Sequence, residues 1–253
     1  MFQIILCEGK TDAIIISYFL IKKYHWTYSK QSPSAKFELR ARAENEILSW
    51  YKKQDEQSAR LCIWGVGGIN NIQSKLSEII ELIKNTRDEE ERFSKIVLIA
   101  DRDDFDDEVC IKNINSWLFN SGLENLSQIA IGDWGLAKIN INKTPTEEHH
   151  LQILPIILPL EKYGDLETFL LNSLGSESEE DQNLVSATEV FISSLPDSPY
   201  LTKRRYRSKA WLGATLSVIS PDWVFSTLQG RLAIVEWDNL LEVQRAYQKL
   251  SDL

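Results

Sequence analysis

The feature that most constrains the fold is an alternation of short apolar runs with longer segments of helical periodicity in the first half of the chain. Strands are predicted at Phe2–Cys7, Arg60–Trp64, Ile96–Ala100 and Leu126–Ile131. Helices are predicted between them at Ala13–Tyr24, Asn70–Lys84 and Asp106–Asn120. Strands separated by helices favour a mainly parallel sheet covered on both faces, so the sequence predicts an α/β fold with a four-stranded sheet.

The pattern changes after about residue 132. Residues 133–150 are polar and are predicted to be a loop, and the prolines in Ile153–Leu160 limit that run to an edge or irregular strand. Further helices are predicted at Glu44–Lys53, Asp165–Leu174, Lys203–Ser217 and Trp237–Leu250. We therefore expect a core at 1–131 and a mostly helical extension at 132–253, either separate from the core or continuous with it.

Composition excludes several classes of protein. The chain has 253 residues, with 28 Lys and Arg against 37 Asp and Glu, for a net charge of −9. An acidic total argues against a protein that binds nucleic acid with its whole surface, but it permits a local basic site. Three cysteines without a CxxC motif predict reduced thiols and exclude a four-cysteine zinc site. No run is long enough to span a membrane, and the N-terminus lacks the basic region of a signal peptide, so we expect a cytoplasmic protein without a membrane partner.

Chemically useful residues follow three of the predicted strands. Glu8 follows the first, the loop Gly65–Gly68 follows the second, and Asp101-Arg102-Asp103 follows the third. The carboxyl ends of parallel strands meet at one edge of a sheet, where ligands bind. Two carboxylates two residues apart on an extended segment point to the same side, so Asp101 and Asp103 can face one cation. Mg²⁺ prefers oxygen ligands and needs only one or two carboxylates.

In this order and at these strand ends, the three features resemble the TOPRIM domain, the metal-dependent fold of topoisomerases, bacterial primases, small ribonucleases and overcoming-lysogenization-defect (OLD) nucleases. The resemblance covers about residues 1–131. It implies a Rossmann-like sheet and a Mg²⁺ or Mn²⁺ cofactor held by Glu8, Asp101 and Asp103. Glu8 then either binds the metal or moves a proton, and all three residues are expected to be catalytic.

A second resemblance lies further along the chain. Leu158-Pro159-Leu160 to Gly164-Asp165-Leu166-Glu167, followed by Lys209-Ala210-Trp211-Leu212, is similar to the tail of standalone TOPRIM proteins related to the OLD nucleases. It implies that Glu167 is a further metal ligand and that Lys209 is a catalytic residue that neutralises phosphoryl charge. The alternatives are a helix-starting acid favoured by the helix dipole for Glu167, and an ordinary surface lysine for Lys209.

The strongest basic cluster lies directly before and within this second segment. Five of the seven residues from 203 to 209 are basic, and we expect Lys203, Arg204, Arg205 and Arg207 to contact the phosphate backbone of DNA or RNA. The alternative is a helix start that forms salt bridges with acidic loops. A similar alternative applies to residues 101–108, six of which are acidic, since acids are also favoured at the start of a helix.

Together these features predict a metal-dependent nuclease that hydrolyses phosphodiester bonds of DNA or RNA, with a role as a phage-defence effector. One alternative is a TOPRIM effector that is active only with a separate ATPase, because the chain has no GK[ST] phosphate-binding loop. Another is a non-catalytic module that binds metal or nucleic acid. The sequence leaves open the type of nucleic acid, the number of metal ions and whether the chain forms a homo-oligomer.

Overall fold

The predicted apolar strands lie in the centre of a mixed β-sheet. The computed structural model describes residues 2–30, 39–53, 59–123, 125–126, 129–142, 146–195, 198–223, 230 and 232–253. These residues form eight strands: β1 (Phe2–Cys7), β2 (Trp26–Ser29), β3 (Ile47–Lys53), β4 (Arg60–Gly65), β5 (Phe93–Asp101), β6 (Asn125–Leu126), β7 (Gly135–Ile141) and β8 (Glu147–Leu158). Their order across the sheet is β2-β3-β4-β1-β5-β8-β7-β6.

The helices follow the predicted periodicity in most places. They are α1 (Lys10–Tyr24), α2 (Ile69–Asn85), α3 (Asp107–Asn120), α4 (Leu166–Gly175), α5 (Glu179–Ser193), α6 (Arg204–Ile219) and α7 (Leu241–Tyr247). Short 3-10 helices lie at Glu89–Glu91, Pro221–Trp223, Trp237–Asn239 and Gln248–Asp252.

The chain divides into two compact units. The first comprises Met1–Ala100, Phe105–Ile157 and Lys249–Leu253, and the second comprises Asp101–Asp104 and Leu158–Gln248. The predicted division after residue 131 differs from this one, because β7 and β8 up to Ile157 belong to the first unit. The second unit therefore consists mostly of the helices α4 to α7, together with the last residue of β5 and the three residues that follow it.

The middle of the sheet is parallel. β1 pairs in parallel with β4 on one side and with β5 on the other, so that Cys7 lies opposite both Gly65 and Ile99. Antiparallel pairs extend the sheet, with β2 on β3 and β3 on β4 at one side and with β6 on β7 and β7 on β8 at the other. Residues buried on both faces explain why β1 and β5 are almost continuously apolar.

Two contacts give the direction of β8 relative to its neighbour β5. Near the start of both strands, Nε2 of His149 lies 2.8 Å from the carbonyl oxygen of Phe93. At the end of both strands, the backbone N–H of Arg102 donates to the carbonyl oxygen of Leu158 at 2.6 Å. The two strands therefore run in the same direction, and β4, β1, β5 and β8 form a parallel centre.

The core confirms the prediction of buried, reduced cysteines. Cys7, Cys62 and Cys110 are buried free thiols, and burial raises the pKa of the Cys62 thiol well above its ordinary value. Cys62 and Cys110 pack in a core cluster with apolar side chains of the strands and of one face of α2, including Ile72 and Ile79. In the described part of the chain, no helix has the length and apolar character needed to cross a membrane.

The α/β class is confirmed, but the prediction of four strands is wrong. The predicted helix Glu44–Lys53 is mostly strand β3, because its aromatic residues pack into the sheet rather than along a helical face. Trp50 is buried, and its ring lies edge-on to that of Phe2 with the centroids 6.3 Å apart. The predicted strand Leu126–Ile131 retains only its first residue in β6, with residues 127–128 outside the described part of the chain.

The polar segment at 133–150 also forms strands instead of the predicted loop. In β7 the residues Ala137, Ile139 and Ile141 are buried while those between them are exposed, which is the alternation of a strand with one face on the core. Of the two alternatives predicted for Ile153–Leu160, an edge or an irregular strand, the edge strand is wrong, because β8 lies between β5 and β7. Pro155 is tolerated there, and its carbonyl oxygen accepts a hydrogen bond from the N–H of Gly132 at 2.8 Å.

Candidate functional site

In the first unit, Glu8 lies where β1 meets the glycine-rich loop. The carbonyl oxygen of Glu8 accepts a hydrogen bond from the N–H of Gly68 at 2.7 Å, and its side chain is half-buried. A Cβ atom on Gly65 would lie 2.5 Å from the carbonyl oxygen of Gly9, so only glycine allows the two loops to approach this closely. The N–H of Gly9 donates to the Asp12 carboxylate at 3.0 Å, which ties the turn to the start of α1.

In the second unit, Arg102 is a buried anchor between the two predicted metal ligands Asp101 and Asp103. Its Nε donates to the carbonyl oxygen of Pro159 at 2.8 Å, and a terminal nitrogen donates to the carbonyl oxygen of Leu160 at 2.5 Å. The guanidinium group thus satisfies carbonyl oxygens of the turn that follows β8. The middle residue of the predicted metal motif is therefore structural.

Asp103 departs from the extended conformation that the sequence pattern assumes. Its φ is 52°, in the left-handed region. Its N–H donates to the carbonyl oxygen of Gly164 at 2.7 Å, and its carbonyl oxygen accepts from the N–H of Gly164 at 2.8 Å. Gly164 itself has a φ of 148°, and a Cβ atom there would lie 2.8 Å from Cβ of Thr168. The alternation of side chains along a strand therefore ends at Asp101 and does not set the direction of the exposed Asp103 side chain.

Asp101 binds the N-terminus of α4. Its Oδ1 accepts a hydrogen bond from the N–H of Leu166, the first residue of that helix, at 2.9 Å. Helix N-termini present unpaired N–H groups and partial positive charge, and both favour a carboxylate. The last residue of the buried strand β5 is therefore fixed to the first turn of α4.

A second carboxylate, Asp165, is the N-cap of the same helix. It accepts hydrogen bonds from the N–H and the hydroxyl of Thr168 at 3.0 and 2.7 Å, and from the hydroxyl of Ser208 on α6. Burial opposes ionisation of this carboxyl group, but the hydrogen bonds from Ser208 and Thr168 outweigh it, so the pKa of Asp165 is lowered. Asp165 is thus an anion that joins α4 to α6.

Glu167 and Lys209, which were assigned separate roles from the sequence, form an ion pair with each other. The side chain of Glu167 is only 7% exposed and that of Lys209 is 53% exposed. A nearly buried carboxylate requires a partner, and the ammonium group of Lys209 supplies it from α6. The description of Lys209 as a plain surface lysine therefore does not fit, and the charge of Glu167 is compensated within the second unit.

The four predicted metal ligands are not gathered into one group. Glu8 belongs to the first unit, whereas Asp101, Asp103 and Glu167 belong to the second. Within the described residues, no group of three or more His, Cys, Asp or Glu side chains is close enough to hold a metal ion. Of these four residues, Asp101 and Asp103 lie nearest to each other along the chain, two residues apart.

The predicted basic segment begins α6. Lys203 is its N-cap, and the side chain of Arg204 lies outside the described part of the structure. Two cations lie over the Tyr206 ring, with Nζ of Lys203 and Cζ of Arg205 at 5.7 and 5.2 Å from the ring centroid. Neither cation pairs with a carboxylate in the part of the chain that the structure describes. Arg207, half-buried, follows on the same helix.

Two residues of this region carry structural roles that the sequence reasoning missed. Asp165 directly precedes a helical apolar run, a position that marks an N-cap and was available in the sequence. Arg102 gave no such signal, because its partners are backbone carbonyl oxygens more than fifty residues away. Only the fold reveals that this arginine is buried.

The fold and the site define an α/β protein with a mixed sheet and a helical unit in which carboxylates surround the N-terminus of one helix. The chain belongs to the family described as "Protein of unknown function (DUF3226)", which matches residues 2–222. Its fold is similar to the crystal structure of a hypothetical protein from Pyrococcus horikoshii OT3, with a TM-score of 0.50 and 16% identity over 97% of this chain and 98% of that one. No curated protein matches the chain.

Proposed function

We propose that the chain is a metal-dependent nuclease of the TOPRIM type that hydrolyses phosphodiester bonds of DNA or RNA, with Glu8, Asp101 and Asp103 as its carboxylates. The observation that carries the proposal is the register of two parallel strands. Cys7 of β1 is paired with Ile99 of β5; Glu8 follows Cys7 directly, and Asp101 ends β5 two residues beyond Ile99. Ligands of parallel sheets bind at this end of the strands.

The donor set suits a hard divalent cation. Asp101 and Asp103 offer carboxylate oxygens, and Mg²⁺ or Mn²⁺ completes its coordination with water and phosphate oxygens when only one or two carboxylates are available. Oδ1 of Asp101 also accepts the N–H of Leu166, so the same carboxylate is already held at the start of α4. A metal bound here would polarise a phosphoryl oxygen and lower the pKa of a bound water molecule.

The remaining groups have roles that do not depend on the metal. Glu8 accepts a proton at its carboxylate. The Lys209 ammonium, held by Glu167, neutralises charge on the scissile phosphate. Lys203, Arg205 and, in sequence, Arg204 bind neighbouring phosphates and orient the backbone.

The test compares cleavage of single- and double-stranded DNA and RNA by the full chain with Mg²⁺ or Mn²⁺. Asp101→Asn and Glu8→Gln should each reduce the cleavage rate by a factor on the order of 10² or more, because each removes a group close to the reacting phosphate. Asp107→Asn, an exposed acid in the first turn of α3, is the matched control and should cleave like wild type. Equal rates for Asp101→Asn and Asp107→Asn would remove the proposal.

One observation favours a second candidate, a chain that does not cleave nucleic acid by itself. It is then either an effector that becomes active only with a separate partner such as an ATPase, or a module that binds without catalysis. Glu167 and Lys209 neutralise each other, so neither charge is free for substrate in this state. Under this candidate, the wild-type chain binds nucleic acid and Mn²⁺ in calorimetry yet cleaves none of the four substrates. Cleavage by the isolated wild-type chain would dismiss it.

A further inference from the structure

An aromatic ring and two positive charges lie together at the start of α6. Tyr206 is 37% exposed, with Lys203 and Arg205 within cation–π distance of its ring. A hydrogen bond from Arg205 and the charges of both neighbours lower the pKa of the Tyr206 phenol. An exposed ring beside cations offers a face for stacking and charge for a neighbouring phosphate, which are the two interactions that bind an unpaired nucleotide.

A cleft opens beside this turn, between α4, α5 and α6. Its volume is about 180 Å³, several times the roughly 30 Å³ of a water molecule, so it has room for a planar ring. Its lining includes Thr168 of α4, Glu189 and Ser193 of α5, and Arg207, Ser208 and Trp211 of α6. The cleft therefore combines an aromatic ring, a cation, a carboxylate and hydroxyl groups.

Two groups of the cleft are held in place by hydrogen bonds to neighbouring residues. Nε1 of Trp211 donates to the carbonyl oxygen of Val185 at 2.9 Å, which fixes the indole ring. Ser208 donates to Asp165, so its oxygen presents lone pairs as an acceptor. Glu189 forms no hydrogen bond or ion pair within the described residues, so its exposed carboxylate can accept from an amino group.

The cleft is also connected to the proposed catalytic carboxylate. Asp165 joins Ser208 to the start of α4, and the next residue, Leu166, donates its N–H to Asp101. A nucleotide in the cleft would thus lie against the same helix terminus that fixes Asp101. The first turn of α4 therefore links the cleft to the proposed reacting group through hydrogen bonds.

We propose that the substrate of this chain is single-stranded nucleic acid, with one base stacked on Tyr206 and an adjacent base in the cleft beside Trp211. The inference deepens the proposed function and rests on it, because it names the substrate class of the same site. Bases within a duplex have no free face for such stacking, whereas every unpaired base has one. The Glu189 carboxylate selects bases with an exocyclic amino group, so oligo-dC binds more tightly than oligo-dT.

The experiment measures fluorescence anisotropy of a labelled single strand, and of a blunt duplex of the same sequence, in a buffer containing Ca²⁺. Wild type should bind the single strand more tightly, and Tyr206→Leu should weaken that binding by roughly 5- to 100-fold. Tyr206→Phe keeps the ring and should retain the affinity. Tyr200→Leu is the matched control, because Tyr200 is 84% exposed in the same unit, and it should bind like wild type.

The cleft is tested separately through base preference. Glu189→Leu should reduce the ratio of the oligo-dC to the oligo-dT affinity to about one, whereas Glu180→Leu, on the exposed face of the same helix, should leave that ratio unchanged. The ratio is the readout because loss of a negative charge strengthens binding of both strands alike.

The outcomes separate this inference from the proposed nuclease. Equal affinity for the single strand and the duplex, or wild-type affinity in Tyr206→Leu, would overturn it even if the chain cleaves DNA or RNA. Conversely, single-strand binding that depends on Tyr206, in a chain whose wild type and Asp101→Asn variant both fail to cleave, would support the inference and remove the nuclease.

Discussion

Replacing Arg102 with leucine should destabilise the second unit strongly, although the residue lies between two acidic side chains that suggest a polar surface. Its side chain is buried at 5% exposure and donates to the carbonyl oxygens of Pro159 and Leu160. A hydrogen bond involving a charged group contributes about 1.5–3 kcal/mol, so the two together contribute roughly 3–6 kcal/mol. A buried leucine restores about 1–2 kcal/mol through its apolar surface, which leaves an expected net loss of about 2–4 kcal/mol.

Urea unfolding followed by tryptophan fluorescence measures this loss as a change in the free energy of unfolding. Arg245→Leu is the control of identical chemistry, because Arg245 forms an ion pair with Glu161 in which both side chains are more than half exposed. Exposed pairs contribute about 0–1 kcal/mol, so that variant should unfold close to the wild-type midpoint. If Arg102→Leu and Arg245→Leu lose the same free energy within about 0.5 kcal/mol, the assignment of Arg102 as a buried anchor is wrong.

Two further predictions concern stability. Gly164→Ala should reduce the free energy of unfolding by about 1–3 kcal/mol, because it adds a clash with Thr168 to an unfavourable φ. Gly132→Ala should reduce it less, because Gly132 has a φ of 78° but no atom within 4 Å of the added Cβ. Equal losses of stability in thermal unfolding would contradict the clash. Burial is the main cause that lowers the pKa of His149 from 6.5, so the contribution of this histidine to stability is complete above pH 6.5 and is lost as the pH falls toward the lowered pKa. His149→Leu should flatten this pH dependence of the free energy of unfolding in urea titrations. His150→Leu should not, because His150 is exposed.

The centre of the fold was predictable because its signals are local. Phe2–Cys7 is apolar except at Gln3, Ile96–Ala100 is apolar throughout, and a run buried on both faces has few alternatives to a central strand. β3 and β7 were not predictable in the same way. Polar and charged residues interrupt the apolar residues of both strands, and without a partner strand the segment Glu44–Lys53 fits a helical period equally well.

The site residues that were predictable also have local signals, and the contacts that were not predictable join distant parts of the chain. Strand-end positions for Glu8 and Asp101 follow from the pattern of strands, and Asp165 follows from the pattern of a helix cap. The pairing of Glu167 with Lys209 joins residues 42 positions apart through the packing of α4 on α6, which no spacing rule describes. No spacing rule describes the left-handed backbone at Asp103 either, because it occurs together with a bridge to the distant residue Gly164.

The carboxylates around the start of α4 are compensated by groups of the chain itself. Asp101 accepts the N–H of Leu166, Asp165 is satisfied by Thr168 and Ser208, and Glu167 is paired with Lys209 on α6. Carboxylates that are already satisfied do not need a cation to prevent their mutual repulsion, so this part of the fold is stable without one. Under the proposed function, chelation of divalent ions should therefore abolish cleavage while leaving the free energy of unfolding nearly unchanged, and a large loss of stability on chelation would show instead that a bound ion holds the fold together.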